Sequence, residues 1–427
     1  MKNLFSAVDN WRRKPLWLLA IAVSLIPLVL VVVMIAADGR NVPFYDQWDT
    51  SDIIATKTLD GSLLLTDLLD RHGEHRIFFT NLITMVSARF FHWNLYLELF
   101  VTVGLAFALL IIIVLLIRHD FPKILVAVLF PVSVLIFSLR GRQTWMTSFQ
   151  SCFLLVTLFF LLAVLTLQRG RVGWRSLLLA AFFALCATFA LTNGLITWGV
   201  LFIGLLLLGY RKPAYLLFWI AASGLTIWVY HKLPATIQLP PPHLADFPTL
   251  VQYVLRYLGN IFILHYDSRI SLDIPALATI ISTGLLLANG IYLWRLRRSW
   301  KPLVPWLLIV AYVAGTAFST AFGRAAAFAD SPEQPLSERY IINAVFWWIS
   351  LIVLGAAVLH AVRKRGMRRR VERLIYTVNL LCLVAAVPLI MYATIDLVRR
   401  PNIINPDSET CYAGYALSRD RNLQCLA

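Results

Sequence analysis

Apolar runs with few charges alternate along this chain with short stretches rich in Arg and Lys. The runs fall near residues 16–36, 93–117, 122–139, 150–167, 175–192, 195–209, 214–230, 274–294, 303–320, 340–362 and 374–395. A helix of about 20 apolar residues crosses the roughly 30 Å hydrocarbon core of a bilayer. The pattern therefore predicts an all-α polytopic membrane protein with about 11 transmembrane helices. The first run is too long for a signal-peptide core, and no A-x-A-like site follows it cleanly, so it predicts an uncleaved span. The stretch 248–266 is also apolar, but it holds Gln252, Arg256 and Asn260. An Arg at a span's centre costs about 2.5–3.5 kcal/mol on insertion scales, so this stretch predicts an interfacial or re-entrant helix.

Charge sets the orientation. Alternate loops carry Arg118 and Lys123; Arg169, Arg171 and Arg175; Arg211 and Lys212; Arg295, Arg297, Arg298 and Lys301; and a cluster from Arg363 to Arg373. With a cytoplasmic N-terminus every one of these loops is inside, as the positive-inside rule requires. The C-terminal tail, 396–427, then lies outside. Composition agrees: 59% of residues are hydrophobic and 14% charged, which excludes a single water-soluble domain and a disordered chain. The net charge of +16 lies between apolar runs, a placement that suits topology and not nucleic-acid binding. Cys152, Cys186 and Cys382 fall in or beside spans as small apolar groups. Cys411 and Cys425 fall in the outer tail, as a disulfide or as free thiols.

The outer side is unevenly polar. The first outer loop, 37–92, collects acids from Asp38 to Glu74 together with Arg40, Lys57, Arg71, Arg76 and Arg89. Its apolar residues recur at helical spacing, with Gly61 and Gly73 as breaks, which predicts amphipathic helices lying on the membrane face. A loop of this size with helices of its own is usually functional. It contains Pro43-Phe44-Tyr45-Asp46-Gln47-Trp48-Asp49, where Asp46 or Asp49 can act as a base toward a docked hydroxyl. Trp48 is either part of the site or part of an interfacial aromatic belt. It also contains His72-Gly73-Glu74-His75-Arg76. His72, His75 and Glu74 are weak candidates for a metal, because the spacing is not that of H-E-x-x-H. Contacts to a sugar, or salt bridges that pin the loop, are the alternatives. The sequence requires no cofactor, and a divalent metal stays open.

Later outer segments add cations and amides: Arg140-Gly141-Arg142-Gln143-Thr144-Trp145 with Gln150, Thr192-Asn193-Gly194, Gly323-Arg324, and Ser337-Glu338-Arg339-Tyr340. Outer arginines oppose the positive-inside bias, so each needs a reason. One is a phosphate partner, matched by the guanidinium fork; the other is pairing with the acidic first loop. Glu98, early in the second span, is a further polar group near this side. The inner loops hold no P-loop and no G-x-G-x-x-G.

This arrangement resembles the GT-C superfamily of integral-membrane glycosyltransferases, in a poorly described bacterial branch. The residues that carry the resemblance are Asp46-Gln47-Trp48-Asp49, His72–Arg76, Gln143…Trp145…Gln150, Asn193-Gly194 and Gly323-Arg324…Arg339-Tyr340, and it covers residues 1–395. It implies a GT-C-like transmembrane domain in the cytoplasmic membrane that takes a polyprenyl-phosphate-linked sugar donor. The sugar would pass, with inversion, to a glycan, lipid or protein acceptor at the extracytoplasmic face. The family's catalytic acid matches Asp46, followed here by Gln47 where relatives carry Glu, so Asp49 stays a rival. The implied phosphate ligands are Arg324 and Arg339, then Arg76 and Arg142. The implied sugar or acceptor contacts are Trp48, Glu74, His75, Gln143, Trp145, Gln150, Asn193 and Tyr340.

Two other membrane classes fit parts of the pattern. A flippase of lipid-linked sugars needs charge near the bilayer midplane and often has inverted repeats, neither of which is evident. An O-antigen polymerase or ligase, with a diphosphate-linked donor, would carry much the same acids and arginines.

Overall fold

The computed structural model describes residues 15–44, 46–235, 245–263, 273–297, 299–327, 333–365, 370, 372–374 and 376–381. Helices dominate: α1 (Pro15–Asp38), α2 (Asp52–Asp60), α3 (Phe78–Phe91), α4 (Leu95–Asp120), α5 (Leu125–Ile136), α6 (Ser151–Arg169), α7 (Trp174–Ala190), α8 (Leu195–Leu208), α9 (Pro213–Lys232), α10 (Phe247–Gly259), α11 (Ile274–Arg297), α12 (Val304–Arg324) and α13 (Ile341–Arg365). Eight helical stretches among the described residues are long and apolar enough to cross a membrane. They hold α1, α4, α5, α6, α9, α11, α12 and α13.

Exposure shows what surrounds them. Leu18, Leu19, Leu217 and Ile220 on α1 and α9 are more than half exposed. A helix that is apolar all round and leaves such residues uncovered by protein needs hydrocarbon around it. By contrast, 89% of the span leading into α13 is buried, which makes it the central helix. This is a multi-pass membrane protein. Polar side chains tie the bundle: Ser133 Oγ donates to the Ser24 carbonyl (2.5 Å), a turn before Pro27, and Trp219 Nε1 donates to the Trp198 carbonyl (3.0 Å).

Side-chain contacts sort the connections into two ends. At one end Gln168 donates to Asp120 (2.8 Å) and to the Lys301 carbonyl (2.9 Å), and Tyr210 donates to the Arg171 carbonyl (3.4 Å). This end carries the basic loops. At the other end, residues 37–92 meet 137–150, 192–194, 230–235 and 324–340. The shorter helices α7 and α8 run between the same two ends. The expected span at 374–395 and the Cys411–Cys425 tail lie largely or wholly outside the described residues.

The stretch 248–266 forms α10 over its first part. Asp246 caps that helix by accepting from Thr249 N (2.9 Å), and Pro248 sits in the first turn. It packs on α11 and α12 and buries Tyr253 and Tyr257. Arg256 is paired with Asp273 (2.5 Å), so its charge is met by a carboxylate.

The first loop folds as surface helices. Gly61 ends α2 in the left-handed region (φ 77°). Helix α3 turns its polar face inward: Thr80, Asn81, Thr84 and Ser87 are buried while Phe90 and Phe91 are exposed. Polar side in and apolar side out is the arrangement of a helix whose outer face meets lipid.

Candidate active site

The acidic motif opens on an uncommon turn. Asp46 precedes a π-helical segment, Gln47–Ser51, a local winding found often at functional sites. Neighbouring side chains part at its start. Gln47 is buried: its Oε1 accepts from Phe44 N (3.0 Å) and its Nε2 donates to Ser148 Oγ (2.7 Å). Ser148 in turn donates to the buried carboxylate of Glu98 (2.6 Å). Three segments are thereby pinned by one polar relay. Asp46 stays open, with 41% of its side chain exposed.

Residues 71–76 form a small hairpin and not a helix. Arg71 pairs with Arg76 and His72 with His75, around Gly73 and Glu74. Gly73 takes the positive φ (53°) at the first turn position. Residues opposite one another in an antiparallel pair share a face. Both imidazoles therefore point the same way, which the H-x-E-H spacing alone does not reveal.

That face lies against Asp46. His72 Nε2 is 3.8 Å from Asp46 Oδ2, and His72 Nδ1 is 2.5 Å from Thr50 Oγ1. His75 Nδ1 is 3.0 Å from Thr192 Oγ1, which is 2.6 Å from the Glu74 carbonyl and 2.8 Å from Tyr230 OH. Gly194 allows this turn to sit close, since any Cβ there would collide with the Ala187 carbonyl at 1.9 Å. The Glu74 carboxylate lies 3.3 Å from His75 Nε2 and is ion-paired with Arg324 at the end of α12. Arg339 sits over the Tyr340 ring (5.2 Å), and its Nε has no hydrogen-bond partner among the described residues.

The electrostatics show the convergence. The His72 ring holds the Asp46 carboxyl below its ordinary range; the charges of Arg339 and Arg324 push the same way, against burial. Burial raises Glu74, but His75 and Arg324 outweigh it and hold that carboxyl at about 2. Burial, joined by Arg324, His72 and Arg339, lowers His75 to about 4 despite Glu74. Asp46, His72, Glu74, His75, Arg324 and Arg339 thus form one open cluster of mixed sign. Among the described residues no three of His, Cys, Asp and Glu come together as a metal site.

The remaining candidates are placed differently. Asp49 is exposed on the π-turn, and Trp48 is half-buried beside it. Arg76 is fully buried and spends its guanidinium on backbone carbonyls. It donates to Tyr230 O (3.1 Å), Leu69 O (2.5 Å), Pro234 O (3.1 Å) and Leu233 O (2.6 Å). Arg142 is buried and ion-paired with Asp38 at the end of α1 (3.2 Å). Trp145 is buried and donates to the Ser138 carbonyl (2.9 Å). Gln150 and Asn193 are buried below the surface loops. Gln143 is half-exposed, and its N–H donates to Glu338 (3.0 Å), which anchors the turn bearing Arg339. Tyr340 packs against Tyr257 (4.8 Å).

Ser148, Thr50 and Tyr230 join the site only in the fold. Their signal is weak: a hydroxyl between aromatics, or a Tyr at a helix end, has the same appearance as an interfacial belt. Comparison with protein-family models, curated proteins and solved structures returns no match.

Proposed function

We propose that this chain is a GT-C-like integral-membrane glycosyltransferase that moves a sugar from a polyprenyl-phosphate donor to a hydroxyl acceptor. The reaction takes place on the extracytoplasmic side of the cytoplasmic membrane. The observation that carries this reading is a partly exposed carboxylate, Asp46, that contacts His72 and lies within the electrostatic reach of Arg324 and Arg339, at the end of the bundle away from the basic loops.

In this reading the isoprenoid lies among the spans and the phosphate docks on Arg339 and Arg324. Asp46 takes the proton of the acceptor hydroxyl, and the oxygen forms a bond to the anomeric carbon from the opposite face. The bond from that carbon to the phosphate oxygen breaks, and its electron pair leaves on the lipid phosphate. The two guanidinium groups take up the new charge. A carboxyl held low chiefly by its hydrogen bond with His72, and further by the charges of Arg339 and Arg324, is a weak base. Donor phosphate screens the two arginines, which removes part of what holds Asp46 down. His72 and Thr50 orient the carboxylate, while Glu74 and His75 face the sugar or acceptor.

The test is purified protein in lipid with a panel of polyprenyl-phosphate and polyprenyl-diphosphate sugars and product detection by mass spectrometry. Glycoside formation from a monophosphate donor, lost in Asp46→Asn, is expected. Lipid scrambling without a new glycosidic bond overturns the reading in favour of a flippase. Transfer from diphosphate donors alone overturns it in favour of a polymerase or ligase.

A further inference from the structure

At the basic end of the bundle, the turn between α6 and α7 and the adjoining helix ends line a cavity of about 640 Å³, within the ordinary size of a ligand site. Arg169, Arg171 and Arg175 all line it, and all are exposed. Among the described residues none of the three has an ion-pair or hydrogen-bond partner for its guanidinium. We propose that this cavity binds the headgroup of an anionic phospholipid.

A topological preference for cations accounts for their being at this end. It does not account for three of them converging on one concavity with no acid among its lining residues. The turn is built rigidly: Ser176 Oγ donates to the Arg171 carbonyl (3.0 Å), as does Tyr210 OH (3.4 Å). Beside the cations, α7 offers the other half of a lipid site. Trp174, Leu178 and Leu179 are each close to half exposed, and Trp174 is braced edge-on by Tyr215 (5.0 Å) and Phe218 (5.6 Å). Guanidinium forks match phosphate oxygens, and an apolar helix face beside them matches acyl chains. A free phosphate would satisfy only the first half.

The experiment uses the full-length protein in liposomes and reads Trp fluorescence quenched by brominated acyl chains. The difference between wild type and Trp174→Phe isolates the Trp174 signal. Brominated phosphatidylglycerol is expected to quench that signal more than brominated phosphatidylcholine. Exchange of Arg169, Arg171 and Arg175 for Gln should cut this preference by about tenfold or more, since each cation near an anionic headgroup is worth roughly fivefold. Arg171→Gln alone gives a partial loss if the triple variant does not fold. Equal quenching by both lipids in the wild type overturns the proposal, as does a preference that survives the Gln variants. Displacement of phosphatidylglycerol by inorganic phosphate overturns it in favour of a soluble anion site.

Discussion

Glu74 and Arg324 stand 250 residues apart in the chain and form an ion pair in the fold. One lies in the turn of a two-residue hairpin and the other is the last residue of α12. Their pairing joins the first loop to the late half of the bundle and brings Arg324 within electrostatic reach of Asp46.

Asp46→Asn is expected to lower transfer by roughly 10²–10⁴-fold, the usual contribution of a general base, while leaving the folded yield unchanged. Asp49→Asn, at an exposed position, is expected to stay near wild-type rates. Both are read by product formation from a polyprenyl-phosphate sugar. The reverse ranking would assign the base to Asp49.

Arginines at the two kinds of site should separate cleanly. Arg76→Met leaves four carbonyls without their donor and is expected to cost at least about 3 kcal/mol, seen as loss of folded protein. Arg339→Gln is expected to keep its folded yield and lose roughly 10²–10³-fold in kcat. Size-exclusion profiles beside transfer rates check both.

His75 sets a pH window. Its folded-state value, about 4, lies below its ordinary 6.5, so the unfolded chain binds more protons between these limits. Stability is then full above pH 6.5 and falls as pH drops toward 4, by a total of order 3 kcal/mol. Apparent Tm measured across this range should slope in wild type and flatten in His75→Gln.

The relay from Gln47 through Ser148 to Glu98 pins the turn that follows Asp46. Gln47→Ala and Ser148→Ala are each expected to destabilise by about 1–3 kcal/mol, with a coupling of at least about 0.5 kcal/mol in the double variant. If the relay also aims Asp46, Gln47→Ala lowers kcat more than it raises KM. Additive stability effects would show that Gln47 and Ser148 act separately.

Asn289 and Asn379 exchange two amide hydrogen bonds (2.8 and 2.9 Å) and hold residues 376–381 against α11. Asn289→Leu should cost about 1 kcal/mol. Gly355→Ala should do similar damage, because a Cβ at that position meets Asn379 Oδ1 at 2.8 Å. Thermal unfolding in detergent reads both.

A multi-pass helical membrane protein, with basic residues in alternate loops and mixed polar groups in the others, is legible in the chain alone. Run length, composition and charge are local properties, and the bilayer selects on them directly. The partners of each polar residue emerge in the fold. Asp46 and Gln47 are neighbours in the chain, yet one faces the open cluster and the other a buried serine. Arg76 and Arg339 have the same chemistry, and their roles part only because one meets four carbonyls contributed from residues 69, 230, 233 and 234. A charged group takes its role from whatever distant backbone or side chain the fold places beside it, and no local pattern records that.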